Sequence, residues 1–197
     1  MYTFVLCWLG IALLVGYTGI LRSTAVPMPV FAFAMTLTLL GLLAVRRDLR
    51  QRVLGVGVRV LVAIHITRFV GFYFLSLYRQ GLLPRDFAVP AGWGDIVVAF
   101  TAIIVLVAFR PETPRGRIAY FTWNVLGLVD ILMVLSQAVR MMRADPLMQG
   151  GFSSLPLIVL PLFLVPIIIV THVMIFVWLA RGPRKASPQG HRGTETN

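Results

Sequence analysis

Six long apolar runs constrain this chain most. They lie at roughly residues 2–21, 26–45, 53–78, 90–109, 118–139 and 156–180. A helix needs about 20 apolar residues to cross the ~30 Å hydrocarbon layer of a bilayer. Only helices or closed barrels satisfy their backbone polar groups in lipid, and runs this long suit helices. The pattern predicts an all-α integral membrane protein. Residues 1–180 would form a single six-transmembrane-helix bundle, and residues 181–197, rich in Gly, Pro and charge, a disordered basic cytoplasmic tail.

Composition enters as a check. Of the 197 residues, 58% are hydrophobic and 13% charged, against about 45–50% and about 25% in a soluble domain. No soluble core hides that excess, which excludes a soluble enzyme, a secreted disulfide scaffold and a disordered chain. The single cysteine, Cys7, offers neither an internal disulfide nor a metal-binding spacing. The N-terminal MYTFVLCWLG lacks a basic stretch and a small-residue cleavage site, so it is read as a retained helix.

The net charge of +11 is a matter of placement. Arg46, Arg47, Arg50, Arg52, Arg110, Arg115, Arg117, Arg181, Arg184, Lys185 and Arg192 fall on one side of a six-helix chain. Arg22, Arg79, Arg85, Arg140 and Arg143 fall on the other. The richer side is cytoplasmic by the positive-inside rule, so both termini are expected there. These residues meet lipid headgroups, and no nucleic-acid partner is expected. The partners expected are the lipid bilayer and other membrane proteins or further copies of the chain. Arg outnumbers Lys 17 to 1, and with the compact loops this points to a bacterial inner membrane.

The ionisable residues inside the runs are Arg59, His65, Arg68, Asp95, Asp130 and His172. Such groups are costly in a membrane and mark functional sites. Arg59 is close enough to its span end to snorkel to the interface. Counting about 1.5 Å per residue, His65 and Asp130 share a level near the midplane, while Arg68 and Asp95 share one in the outer half. His65 and Arg68, three apart, occupy one helix face. Trp123, Asp130 and Gln137 line a face of the fifth run, with Asn124 beside it. Pro161 and Pro166 free backbone carbonyls in the sixth run, near His172. These residues predict a polar cavity between the third, fifth and sixth helices. In it, His65 and Asp130 form a proton-responsive pair and Arg68 with Asp95 gates the outer mouth. The same groups can equally serve as interhelical glue. Gly16 with Ala12, and Gly41, are expected close-packing positions.

The segment from Gly81 to Asp95 holds Pro84, Pro90, Gly92 and Gly94 around Phe87 and Trp93. It is expected either as an interfacial connector or as a re-entrant lid, with Asp95 capping the first turn of the next helix. Gly92-Trp93-Gly94-Asp95 resembles the G-x-G-D string of intramembrane aspartyl proteases and prepilin peptidases. The resemblance covers four residues and implies Asp130 as the second carboxylate of a dyad. In those families the string follows its partner aspartate along the chain, whereas here it precedes it. A rhomboid-like serine protease is excluded, because the fourth run holds no serine.

His65 and His172 fall at matching places in two three-helix halves and share the pattern H-x-x-x-F-V. That is consistent with an inverted repeat, a plan used by transporters. Two histidines on different helices are also the minimum for bis-histidine haem b, and His65, Asp130 and Trp123 suit a quinone equally. The leading expectation is a small proton-coupled carrier or membrane sensor. The alternatives are a redox protein, a non-catalytic subunit of a membrane complex and an aspartyl protease.

Overall fold

A computed structural model describes residues 2–21, 26–144 and 151–181, which are mostly helical with no strand among them. The helices are α1 (Tyr2–Thr18), α2 (Met28–Val45), α3 (Arg47–Gly55), α4 (Val58–Arg79), α5 (Arg85–Ala108), α6 (Pro114–Ala144) and α7 (Leu160–Ala180). Five of them, α2, α4, α5, α6 and α7, are long and apolar enough to cross a membrane. α1, the first expected span, is a shorter helix of 17 residues. The expected tail beyond Arg181, and Arg22, lie outside the described residues.

The expected boundaries move most at the third and fourth runs; the fifth lengthens to Pro114–Ala144 and the sixth starts at Leu160. The third run starts late: its first residues, 53–55, end a short arginine-bearing helix, α3, that takes in the expected loop, and the span α4 begins at Val58. Gly57 between them has φ 86°, which a side chain with a Cβ rarely adopts. Within the Gly81–Asp95 segment only residues 81–84 connect α4 to α5. From Arg85 onward it is helix, with Pro90 inside it. Asp95 therefore sits well within α5 and caps nothing. Gly92 and Gly94 serve packing instead of turns. A Cβ on Gly92 would stand 2.9 Å from the Gly71 carbonyl oxygen, and a Cβ on Gly71 would collide with the Gly92 carbonyl oxygen. The two glycines let the backbones of α4 and α5 touch, the usual role of small residues between membrane helices.

Gly16 and Ala12 also pack as expected. A Cβ on Gly16 would lie 2.5 Å from Ile158 Cγ2, and Ala12 is buried. Gly41 does not, since nothing lies within 4 Å of a Cβ there.

Arginines cap three helix C-termini. Arg50 Nη1 donates to the carbonyl oxygens of Leu43 and Ala44 at 3.5 and 3.4 Å. Arg59 Nη2 donates to Leu106 O at 2.6 Å. Arg117 Nη2 donates to Leu179 O, its guanidinium 5.8 Å from the Trp178 ring centre. The last carbonyls of α2, α5 and α7 lack partners within their own helices and carry the negative end of the helix dipole, which a guanidinium satisfies.

The core has two large apolar layers and a third, smaller cluster of Ile131, Ile168 and Ile169. At the arginine-capped end, Leu43, Leu54, Val58, Leu61, Val105 and Leu179 pack into one cluster. Toward the other end, Met28, Phe74, Phe87, Ala91, Met142 and Ile158 form a second. The polar side chains of α4, α5, α6 and α7 lie between them.

Candidate functional site

The middle of α4, Ile64–Val70, is wound as a 3-10 helix. With three residues per turn, side chains three apart eclipse one another, so His65 and Arg68 project from one edge. Both are buried, Arg68 at 1% exposure. α7 opens with a π-helical turn over Leu160–Leu164 that contains Pro161. Pro161 stands in the opening turn, where its missing N–H costs no intrahelical bond.

Arg68 anchors the first cluster. Its Nε and Nη2 both reach Asp95 Oδ1 at 2.6 Å, and Nη2 also bonds Asp130 Oδ2. Nη1 donates to the Gly127 carbonyl oxygen at 3.0 Å. Asp95 comes from α5, through the Gly71–Gly92 contact that draws α4 and α5 together. Asp130 comes from α6, and its approach depends on Gly94, where a Cβ would strike Asp130 Oδ1. One guanidinium thus serves two carboxylates. With both ionised, the formal charge of the cluster is −1.

The second cluster is built on histidine. His65 Nε2 lies 3.0 Å from Thr171 Oγ1, and that hydroxyl donates to Ile168 O at 2.8 Å. With its hydrogen so committed, Thr171 accepts, and His65 carries its proton on Nε2. Asn124 Nδ2 donates to His172 O at 3.0 Å, so its Oδ1 accepts from His172 Nδ1 at 2.8 Å. The carbonyl contact fixes the amide orientation and with it the His172 tautomer. The other ring nitrogens, His65 Nδ1 and His172 Nε2, are buried without a hydrogen-bond partner among the described residues. Trp123 Nε1 donates to Val98 O at 3.3 Å. Its ring meets His65 edge-on, centres 5.0 Å apart.

Gly127 joins the two clusters. Its carbonyl takes the Arg68 bond, and a Cβ on its other side would stand 2.8 Å from His172 Cε1.

Several sequence expectations change here. The Arg68–Asp95 pair forms. The His65–Asp130 pair does not, because the charged carboxylate goes to the guanidinium and His65 turns to Thr171. Asn124 and Trp123 join the histidine cluster, whereas Gln137, two turns along α6 from Asp130, joins neither network. At the place of the expected polar cavity these side chains bond one another. The His65 and His172 ring centres are 4.2 Å apart, while two imidazoles bound on opposite sides of one metal ion set theirs roughly 6 Å apart. A haem iron therefore does not fit between these rings. Asp95 and Asp130 both face Arg68, which stands where a protease dyad would hold its shared proton. Thr171 and the glycines at 71, 92 and 94 escaped the sequence reading as site residues. The signal for Thr171 was its place beside His172, a hydroxyl within an otherwise apolar helix.

No curated protein and no solved structure matches this chain. Residues 25–180 match a protein family, and this range takes in all five span-length helices and both polar clusters. The chain belongs to the family described as Domain of unknown function (DUF8737).

Proposed function

We propose that the protein is a small proton-coupled carrier of the bacterial inner membrane. In this reading α1 completes a six-span bundle, and both termini are cytoplasmic, on the arginine-capped side. The observation that carries it is Arg68, buried at mid-span between two carboxylates. A net charge in hydrocarbon is expensive. The cluster becomes neutral with one more positive charge, and a proton supplies it. Loading and unloading that proton changes which carboxylate Arg68 holds, and through Gly127 it bears on the packing of α6 against α7. Such coupling of protonation to helix packing is what a proton-driven carrier requires. Arg68, Asp95 and Asp130 hold the proton. His65, Thr171, Asn124 and His172 brace the helices around them.

The test is proton counting on the purified full chain in lightly buffered detergent solution. The wild type should take up about one proton more than Asp130→Asn as pH is lowered, with both proteins equally helical by circular dichroism. Equal uptake by the two would refute the assignment.

A further inference from the structure

The triad opens at one edge. The Asp130 side chain is 24% exposed, against 6% for Asp95 and 1% for Arg68. Asp130 lies at the seam of α5 and α6, against Gly94. Around it, Trp93 and Val97 on α5 and Leu126, Val129 and Met133 on α6 are exposed large apolar residues. Along the bundle axis, toward either end, the two apolar layers close the interior. The accessible side of this carboxylate therefore faces sideways, toward lipid.

From this we infer that the carrier's cargo is a lipid-dissolved monovalent organic cation, which enters between α5 and α6 and replaces the proton at Asp130. The inference rests on the proton-carrier reading above and adds the substrate class. Charge selects a cation, because the triad with both carboxylates ionised is one positive charge short. The route selects an apolar body, because the ligand crosses a surface of Val, Leu and Met. Trp93, next to Gly94, offers an aromatic face to which a cation is attracted. Charge balance sets the exchange: one singly charged cation in, one proton out to water, with the charges of Arg68 and Asp95 unchanged. The other titratable groups near Asp130 are His172, behind Gly127, and His65 against His172.

The probe is tetraphenylphosphonium, added to the purified full chain in detergent. Calorimetry should show saturable binding, and a pH indicator in lightly buffered solution should show about one proton released per bound cation. Asp130→Asn should weaken binding by about thirtyfold or more, the effect of removing a desolvated charge partner. Asp48→Asn, on exposed α3, should bind as the wild type does. Leu126→Trp crowds the opening from the lipid side without touching the triad. It should weaken binding while leaving proton uptake intact, which guards against misfolding of Asp130→Asn. Absence of saturable binding, binding without proton release, or full binding by Asp130→Asn would each overturn the inference. So would a dimer, seen by crosslinking, that covers Asp130 and excludes the probe. If proton uptake still depends on Asp130 but the probe does not compete, the substrate class fails and the proton site stands. If uptake is independent of Asp130, the carrier reading itself fails.

Discussion

Arg59 and Arg68 stand on the same helix, roughly 15 Å apart along its axis, and have opposite surroundings. Arg59 is exposed, and its bonds go to backbone carbonyls at the end of α5. Arg68 is buried, and its bonds go to two carboxylates and one carbonyl. Residue type is constant, so depth accounts for the difference. Near the interface a guanidinium reaches water and headgroups and needs only the partial charge of a helix terminus. At mid-span it needs full opposite charges, and these must be delivered from other helices. α5 and α6 deliver them only because Gly71, Gly92 and Gly94 let the backbones close in.

The largest expected effect follows directly. Arg68→Met leaves two carboxylates together in a buried site and should cost about 3–5 kcal/mol of stability. This can be read as lost expression or a lower melting point in detergent. Adding Asp95→Asn and Asp130→Asn to that variant should recover most of the loss, since charge imbalance is its cause. If Arg68→Met melts like the wild type, the contrast between the two arginines collapses.

Glycine substitutions sharpen the same comparison at intermediate cost. Gly127→Ala places a Cβ 2.8 Å from His172 Cε1 and 3.2 Å from Val98 Cγ1. Such overpacking typically costs about 1–3 kcal/mol. Gly41→Ala meets nothing within 4 Å and should be neutral, or stabilising by up to about 1 kcal/mol through helix propensity. Melting points of the two variants should move in opposite directions or differ clearly. Similar shifts would mean that the polar layer is loosely packed.

The sequence carried the fold class well and the site in part. Apolar run length alone located the five span-length helices, because a bilayer imposes one dimension on every span. The polar residues of the site were also visible, since Arg, His and Asp stand out among Val, Leu and Ile. Their pairing was not. Depth counting set His65 level with Asp130, but it assumed uniform α-helix. The 3-10 turns of α4 and the π turn of α7 change both rise and direction. Partner choice also followed charge more than level, so Asp130 went to Arg68 and His65 to an uncharged hydroxyl. The Gly81–Asp95 segment misled for another reason. Pro and Gly are turn signals in a soluble chain, yet Gly92 and Gly94 here mark where helices touch. Local composition cannot separate these uses without knowing which helix lies opposite.

At the capped end the effects should be small. Arg59→Ala removes two bonds to terminal carbonyls of α5 that water can replace. A loss of about 0.3–1 kcal/mol is expected, several-fold below that of Arg68→Met in the same melting assay. A loss as large as that of Arg68→Met would mean that this end is also sealed from water.

The smallest effect belongs to the Arg46–Asp48 pair at the start of α3. Arg46 Nε donates to Asp48 Oδ1 at 3.3 Å, and both side chains are more than half exposed. That hydrogen bond, more than any other influence, holds the Asp48 carboxyl below its ordinary value of 3.8. A lowered folded-state value places the stabilising contribution above the unfolded-state value. It is fully present at neutral pH and is lost as pH falls through the acid range below 3.8. Water and salt screen an exposed pair of this kind. Asp48→Asn should therefore leave the neutral-pH melting point within error of the wild type at moderate ionic strength. Any difference should appear only at low salt and vanish on acidification. A pH-dependent melting difference that survives high salt would place Asp48 in a shielded site and remove the distinction between the wet end of the bundle and its buried middle.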